Sequence, residues 1–265
     1  MRWVSTEMPA PNKDAAAAEP AFNYLNVDLH LHTVLSPCAE VEMIPPLIVA
    51  QAKRLGLGGI AITDHNSAEN AQAVIEASQG TELTVLPGME VQTREEVHVV
   101  CLFDTIEQDL AWQETVYAHL PPRSNRPETF GAQFVVDAEG EYVRENDRLL
   151  LTSVDMSFDD VVAEVRSLGG ICIPAHVDRP SYSLIANLGF VPPDLNLAAL
   201  EVSRLLGPAA ARERFPQLQH YTLIVSSDAH RLDEMQCRTM VKVRRLTISE
   251  LRLAFAGKDG RRVVV

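Results

Sequence analysis

From Tyr24 onward, short runs rich in Val, Ile and Leu alternate with amphipathic stretches of helical length. Parallel strands need long crossover connections, usually helices, so this alternation confines the chain to βαβ units around a largely parallel sheet. Candidate strands lie at 27–30, 59–63, 83–86, 97–103, 170–173, 199–203 and 223–227, with helices expected at 46–55, 68–77, 110–119, 158–168, 182–188 and 208–215. Ser157 with Asp160, and Thr247 with Glu250, have the spacing of helix-opening capping boxes, and Gly169-Gly170 closes the helix before it. Seven strand-like segments separated by helices favour an α/β barrel over an open sheet, and 265 residues with 46% hydrophobic content can fill one.

Two stretches break the pattern. Residues 1–22 are poor in large apolar side chains and read as a flexible leader without the apolar core of a secretory signal. Residues 23–265 then form one barrel domain, interrupted at about 121–153. There Pro121-Pro122, Asn125 and Pro127 mark a loop, and 133–137 and 141–144 flank Ala138-Glu139-Gly140 as a hairpin. An insertion on a barrel is expected to shape access to its site. No apolar run is long enough for a transmembrane helix. The four cysteines form no CxxC pair, which points to a reducing cytoplasm. A net charge of −13 repels phosphate backbones, so dedicated duplex-DNA binding is not expected. Bound divalent ions would still permit a small anionic substrate by reversing the local potential.

The chemistry concentrates at strand ends. In Asp28-Leu29-His30-Leu31-His32-Thr33 the alternation of a strand puts Asp28, His30 and His32 on one face. Alone, that motif fits a surface strand as well as a metal site. It is joined by Thr63-Asp64-His65, Gly88-Met89-Glu90, Glu96-Val97-His98, Ala175-His176 and Ser227-Asp228-Ala229-His230. Six of the eight histidines thus fall at strand ends, where the carboxyl ends of a parallel barrel converge. His98 is the exception, standing at the start of its segment, as it would in a strand that is antiparallel or entered differently. Histidines with carboxylates, without paired cysteines, suit zinc, manganese or iron. His119 and His220 read as solvated.

In this order, Asp28-x-His30-x-His32, Asp64-His65, Gly88-x-Glu90, His98, His176 and Asp228-x-His230 resemble the motifs of the PHP (polymerase and histidinol phosphatase) family over residues 24–232. The resemblance implies a distorted seven-stranded (β/α) TIM-like barrel and two or three divalent metals, commonly zinc, manganese or iron. It implies that His30, His32, Glu90 and Asp228 hold a first ion. Glu90 would bridge to a second at His98 and His176, and His65 and His230 would serve a third. Where many members have a histidine six residues after the pair, this chain has Cys38. Cys38 is either a thiolate ligand or a small buried residue.

Asp28 and Asp64 are expected to accept hydrogen bonds from ligating imidazoles. Arg179 and Arg204 either bind a substrate phosphate or pair with nearby acids. Glu201 would contact bound water or Arg179, or form an ordinary salt bridge. The implied activity is hydrolysis of a small phosphate ester such as a nucleotide by metal-activated water, with Asp228, His230, Arg179 and Arg204 as catalytic candidates. Alternatives are a 5′–3′ exonuclease on short oligonucleotide ends and a non-catalytic, metal-stabilised scaffold. Scaffold modules of this kind often lose ligands, whereas the set here is nearly complete. Metal-dependent amide hydrolysis is disfavoured, because no lysine suited to carbamylation accompanies the HxH strand.

Overall fold

The computed structural model describes residues 21–264. The strands are β1 (Asn23–Leu31), β2 (Gly59–Ile62), β3 (Thr84–Gln92), β4 (His98–Leu102), β5 (Phe134–Val136), β6 (Tyr142–Glu145), β7 (Ile171–Pro174), β8 (Leu200–Glu201), β9 (Leu223–Ile224), β10 (Thr239–Val243) and β11 (Arg262–Val264). Seven of them form one sheet in the order β11-β10-β1-β2-β3-β4-β7. Only β1-β2 and β2-β3 are parallel, so the sheet is mixed. The β8-β9 pair is a separate parallel ribbon.

Single contacts curl these pieces into a distorted α/β barrel. Val177 N donates to Glu201 O at 2.8 Å, attaching the ribbon beyond β7, and His32 N donates to Ala229 O at 3.1 Å, returning it to β1. The other half of β1 is paired by β10, running antiparallel from Asn23↔Val243 to Val27↔Thr239. All seven expected strand segments exist. The sheet nevertheless recruits β10 and β11, which the sequence reading passed over, in place of β8 and β9. In β10 the signal is present as alternation, with Thr239, Val241 and Val243 buried and the residues between them half-exposed.

β4 runs antiparallel to both neighbours, with Gln92 opposite His98 and Val99 opposite Pro174. Its first residue therefore lies at the end of the barrel where the parallel strands finish. This reversal explains the placement of His98.

Helix starts differ from expectation where side chains take other work. The helix Ile106–His119 begins four residues before its expected start, because Thr105 and Gln108 form a capping box. The helix Ala71–Ala77 begins late, because Asn70 instead binds Thr33 Oγ1, Phe134 O and Val136 N. The box at Ser157 forms as expected, whereas at Thr247 only the cap forms, because the Glu250 carboxylate binds Arg244 N and Arg261 instead.

The insertion contains the expected hairpin, β5-β6, and docks on loops beside the barrel mouth. Phe134 N donates to Val34 O at 3.3 Å, and Asn66 Nδ2 donates to Leu150 O and Thr152 O, each at 2.8 Å. Leu35, Val135 and Leu150 bury a small apolar cluster beneath it. The expected leader lies outside the described residues except for Ala21 and Phe22. Phe22 is packed rather than loose, with Lys242 Nζ 4.5 Å above its ring and Arg244 and Arg261 each at 5.2 Å. Among the described residues no helix is long and apolar enough to cross a membrane.

Gly88 marks the point where β3 meets the reversed β4. A Cβ there would stand 2.5 Å from Cys101 O, a backbone atom that cannot swing aside. Gly88→Ala is expected to lower stability by about 1–3 kcal/mol in urea denaturation, through local overpacking. An unchanged midpoint would show that the two strands part freely.

Candidate metal centre

The barrel's strand ends deliver nine polar side chains to one place. β1 supplies His30 and, one residue past its end, His32, and both are fully buried. Leu29 and Leu31 on the opposite face are buried too, so the surface-strand reading of this motif fails. The β2 loop adds His65, β3 adds Glu90, β4 adds His98, the β7 loop adds His176 and the β9 loop adds Asp228 and His230. Glu201, ending β8, completes the group.

Glu90 is the hub. Its Oε1 lies 2.8 Å from His98 Nδ1 and 3.3 Å from both His30 Nε2 and His176 Nε2. Its Oε2 lies 3.0 Å from His65 Nδ1 and 3.5 Å from His32 Nε2. Asp228 Oδ1 reaches His30 Nε2 at 3.4 Å and His32 Nε2 at 3.3 Å.

The expected tautomer-fixing partners need correction. Asp28 accepts from the backbone amides of Ser227 and Gln236, not from an imidazole. It thereby ties β1 to the loop carrying Asp228. Asp64 accepts from Thr33 N, Thr33 Oγ1 and Ser36 Oγ, and acts on His32 only through Ser36. The carboxylate that touches an imidazole ring from outside the cluster is Glu201. Its two oxygens lie 3.1 and 3.2 Å from His30 Nδ1, and Oε1 also accepts from His176 N at 3.1 Å. Glu201 does not pair with Arg179. The sequence held no local sign of this, since His30 and Glu201 are 171 residues apart.

These outer bonds set the donor pattern. Glu201 holds a proton on His30 Nδ1. Ser36 gives its proton to Asp64 at 2.6 Å and so accepts one from His32 Nδ1 at 3.0 Å. The two Nε2 atoms, turned inward, then face each other at 3.2 Å, with Glu90 and Asp228 oxygens around them. Two ring nitrogens and two carboxylates converging in a buried space need positive charge among them, carried by a proton or by a metal cation. Two nitrogens bound to one ion at about 2.0–2.1 Å and a tetrahedral-like angle stand about this far apart.

Three groups of candidate ligand atoms lie within 4.8 Å of one another: His30, His32, Glu90 and Asp228; His65, Glu90 and His98; and His32, His65 and His230. The first matches the expected set. The second gathers around His65 rather than His176, which still touches Glu90 Oε1. The third adds His32 to the expected His65 and His230. Cys38, in an exposed position, keeps its thiol beside these same two residues, His230 and His65. Three buried polar atoms, Glu90 Oε2, His98 Nε2 and His176 Nδ1, have no hydrogen-bond partner. The residues present fit several divalent cations.

The electrostatics show what the protein does with this charge. For Glu90, burial opposes ionisation, but His98, His30 and His65 hold the carboxyl well below its usual range. Asp228 is likewise held low against burial, chiefly by His30. Burial also opposes protonation of His30, yet Glu201, Glu90 and Asp228 raise it well above its usual value. Burial, with His230 and His65, pushes His32 well down. Burial raises the Cys38 thiol, but hydrogen bonds with His230 and His65 outweigh it and bring the group down to about 6. Burial also pushes Asp28 up to about 6.

Backbone strain falls on the same residues. His176 has φ 32° and Asp228 φ 51°, left-handed conformations that non-glycine residues rarely adopt. Each costs roughly 1–3 kcal/mol and persists because its surroundings impose it.

The two arginines differ. Arg179, 39% exposed, places Nη2 2.7 Å from Asp228 Oδ2 and stands at the cluster. Arg204 is engaged elsewhere, with Nη2 2.8 Å from Glu234 Oε1. Glu234 in turn accepts from His230 N, so Arg204 braces the His230 loop from behind. His119 and His220 are exposed, as expected.

Sequence reasoning missed Ser36, Asn66 and Tyr182. Ser36 links Asp64 to His32, Asn66 pins the insertion, and the Tyr182 ring packs on His98 at 4.9 Å between centroids. Only Asn66 carried a signal, as a turn-forming residue directly after His65.

Replacing Glu201 by Ala releases His30 Nδ1 and the His176 amide together. Metal affinity, measured by chelator competition, is expected to fall about 10–100-fold, as on loss of other carboxylates behind ligating histidines. An unchanged affinity would show that Glu201 only shapes the backbone.

Among solved structures, the lesion-specific endonuclease PfuEndoQ from Pyrococcus furiosus matches with TM-score 0.67 and 20% identity, over 92% of this chain and 58% of that one. Endonuclease Q in complex with a 27-mer duplex substrate with an abasic lesion at its active site gives TM-score 0.65 at 20% identity, over 91% and 58%. A two-domain protein from Bacteroides vulgatus containing a predicted PHP-like metal-dependent phosphoesterase gives TM-score 0.52 at 17% identity, over 99% and 68%. The chain thus spans 58% of the length of the endonuclease, and at these identities the likeness is one of fold. None of the curated proteins matches. The family model of the PHP domain matches residues 28–184, more than half the chain and most of the strand ends described above. The chain belongs to the PHP family.

Proposed function

We propose that this PHP protein hydrolyses a small phosphomonoester at the Glu90 centre, using the His30, His32, Glu90 and Asp228 set with His65, His98, His176 and His230 around it. The observation that carries this reading is the convergence of buried acceptors on one space: Nε2 of His30 and His32, 3.2 Å apart, with Glu90 and Asp228. Zinc, manganese or iron at these groups would lower the pKa of water towards neutrality and offset charge on the phosphoryl oxygens.

The chain's own residues do the rest. Glu201 and Ser36 fix the His30 and His32 tautomers, keeping Nε2 as acceptors. Glu90 presents two ionised oxygens to both sides of the centre. Arg179, at the mouth beside Asp228, has guanidinium donors left over to orient a phosphate. His230 holds its Nδ1 proton on Asp228 O at 3.0 Å. Its Nε2 is left for the His32–His65 side, where an ion or a proton can meet the leaving oxygen. Arg204, committed to Glu234, has no direct part. A scaffold role is disfavoured by the completeness of the set.

A second reading, cleavage of phosphodiesters in a nucleic-acid duplex, draws on the fold shared with Endonuclease Q. That fold removes support from the expectation, based on charge alone, that no duplex is bound. The net charge of −13 still favours the small ester.

Phosphate release from nucleoside monophosphates and sugar phosphates, with strand cleavage of a duplex carrying an abasic site and metal content measured alongside, tests both readings. The monoesters are expected to be cleaved. His30→Ala combined with His176→Ala is expected to lower kcat/KM by about 1000-fold or more, about 4 kcal/mol of transition-state stabilisation. Activity surviving in that double variant contradicts the mechanism, and cleavage of the duplex alone transfers the function to the second reading.

A further inference from the structure

One loop brackets the centre from both sides. Between His176 and the helix Leu184–Leu188, Arg179 reaches Asp228 Oδ2 at 2.7 Å, and three residues later Tyr182 lays its ring on His98. The ring centroids are 4.9 Å apart at 31°, and His98 Nδ1 is itself 2.8 Å from Glu90. The phenol thus stands one ring away from the hub.

Tyr182 is held there against its backbone preference. Its φ is 55°, a left-handed conformation that is a true outlier for so bulky a residue. The conformation is imposed from both ends: His98 N donates to Tyr182 O at 3.1 Å, and Ser183 Oγ donates to Arg179 O at 2.6 Å. Core packing does not account for the strain. The residue is 46% exposed and joins none of the apolar clusters among the described residues. A strained, partly exposed aromatic with one face on a buried histidine presents its other face to whatever enters the mouth.

We propose that Tyr182 is a stacking wall for the alcohol portion of the substrate, so that the centre selects phosphate esters whose alcohol carries a flat ring, as a nucleoside does. This rests on the phosphoester reading above for the identity of the anion, and on geometry alone for the wall. Arg179 and the metal-ligand face take the phosphate, and Tyr182 takes the ring on the β4 side. The phenol acts as a positioning surface and takes no part in proton transfer.

Binding of two non-hydrolysable monoanalogues to the metal-loaded full chain separates this from turnover: benzylphosphonate, with a ring, and butylphosphonate, without one. The wild type is expected to bind benzylphosphonate about ten-fold more tightly, the range of a single stacked ring. Tyr182→Phe should keep that preference. Tyr182→Gly, which accepts the positive φ without strain, should bring the two affinities together. Equal affinities in the wild type, no binding of either ligand, a preference that persists in Tyr182→Gly, or an equal loss for both ligands would each overturn the proposal. A ring preference without phosphate release from any ester would leave the wall standing and remove the hydrolase reading instead.

Discussion

The rest of the molecule is arranged around one ionised carboxylate that the barrel buries. Glu90 is 1% exposed and touches five imidazoles, and among the described residues no lysine or arginine pairs with it. A lone carboxylate in such a place would cost several kcal/mol. Imidazoles repay this only if some carry protons, or if cations take the protons' place. Burial drives His32 and His98 towards the neutral form, while the surrounding acids drive His30 and His65 the other way. A centre divided in this manner is built for charge that arrives from outside.

The fold serves that requirement at several removes. Reversing β4 brings His98 to the same end as His65 and His176. The β8-β9 ribbon, attached by a few hydrogen bonds, carries Glu201 and the Asp228 loop against β1. Asp28 ties β1 to Ser227, and Ser203 binds Asp178 across the neighbouring loops. Strain at His176, Tyr182 and Asp228 is concentrated on this face, as expected where tertiary contacts override local preference.

Much of this was legible in the sequence, for physical reasons. Each candidate ligand sits at a strand end, so hydrophobic periodicity locates it, and of the two explanations for His98 at the start of its strand, the antiparallel β4 is the one that holds. Other features depend on pairings that no spacing records. Glu201 reaches His30 across the barrel, whereas the nearby Asp28 and Asp64, the more obvious candidates, spend their oxygens on backbone amides and hydroxyls. For Arg204 the acid-pairing alternative holds, but its partner Glu234 lies 30 residues away and no spacing pointed to it. Cys38 stands beside His65 and His230, the residues expected around it. β10 was overlooked although its alternation was visible, because Met240 and Lys242 make it less apolar than a buried barrel strand.

The central claim is that Glu90 gathers more than one cation. Titrating the chelator-stripped chain with manganese or zinc, in the wild type and in Glu90→Ala, measures this directly. The account predicts two or more equivalents bound by the wild type and a loss of more than one on removal of the shared carboxylate. A wild type that takes up one equivalent or none, or a variant with undiminished stoichiometry, would contradict it.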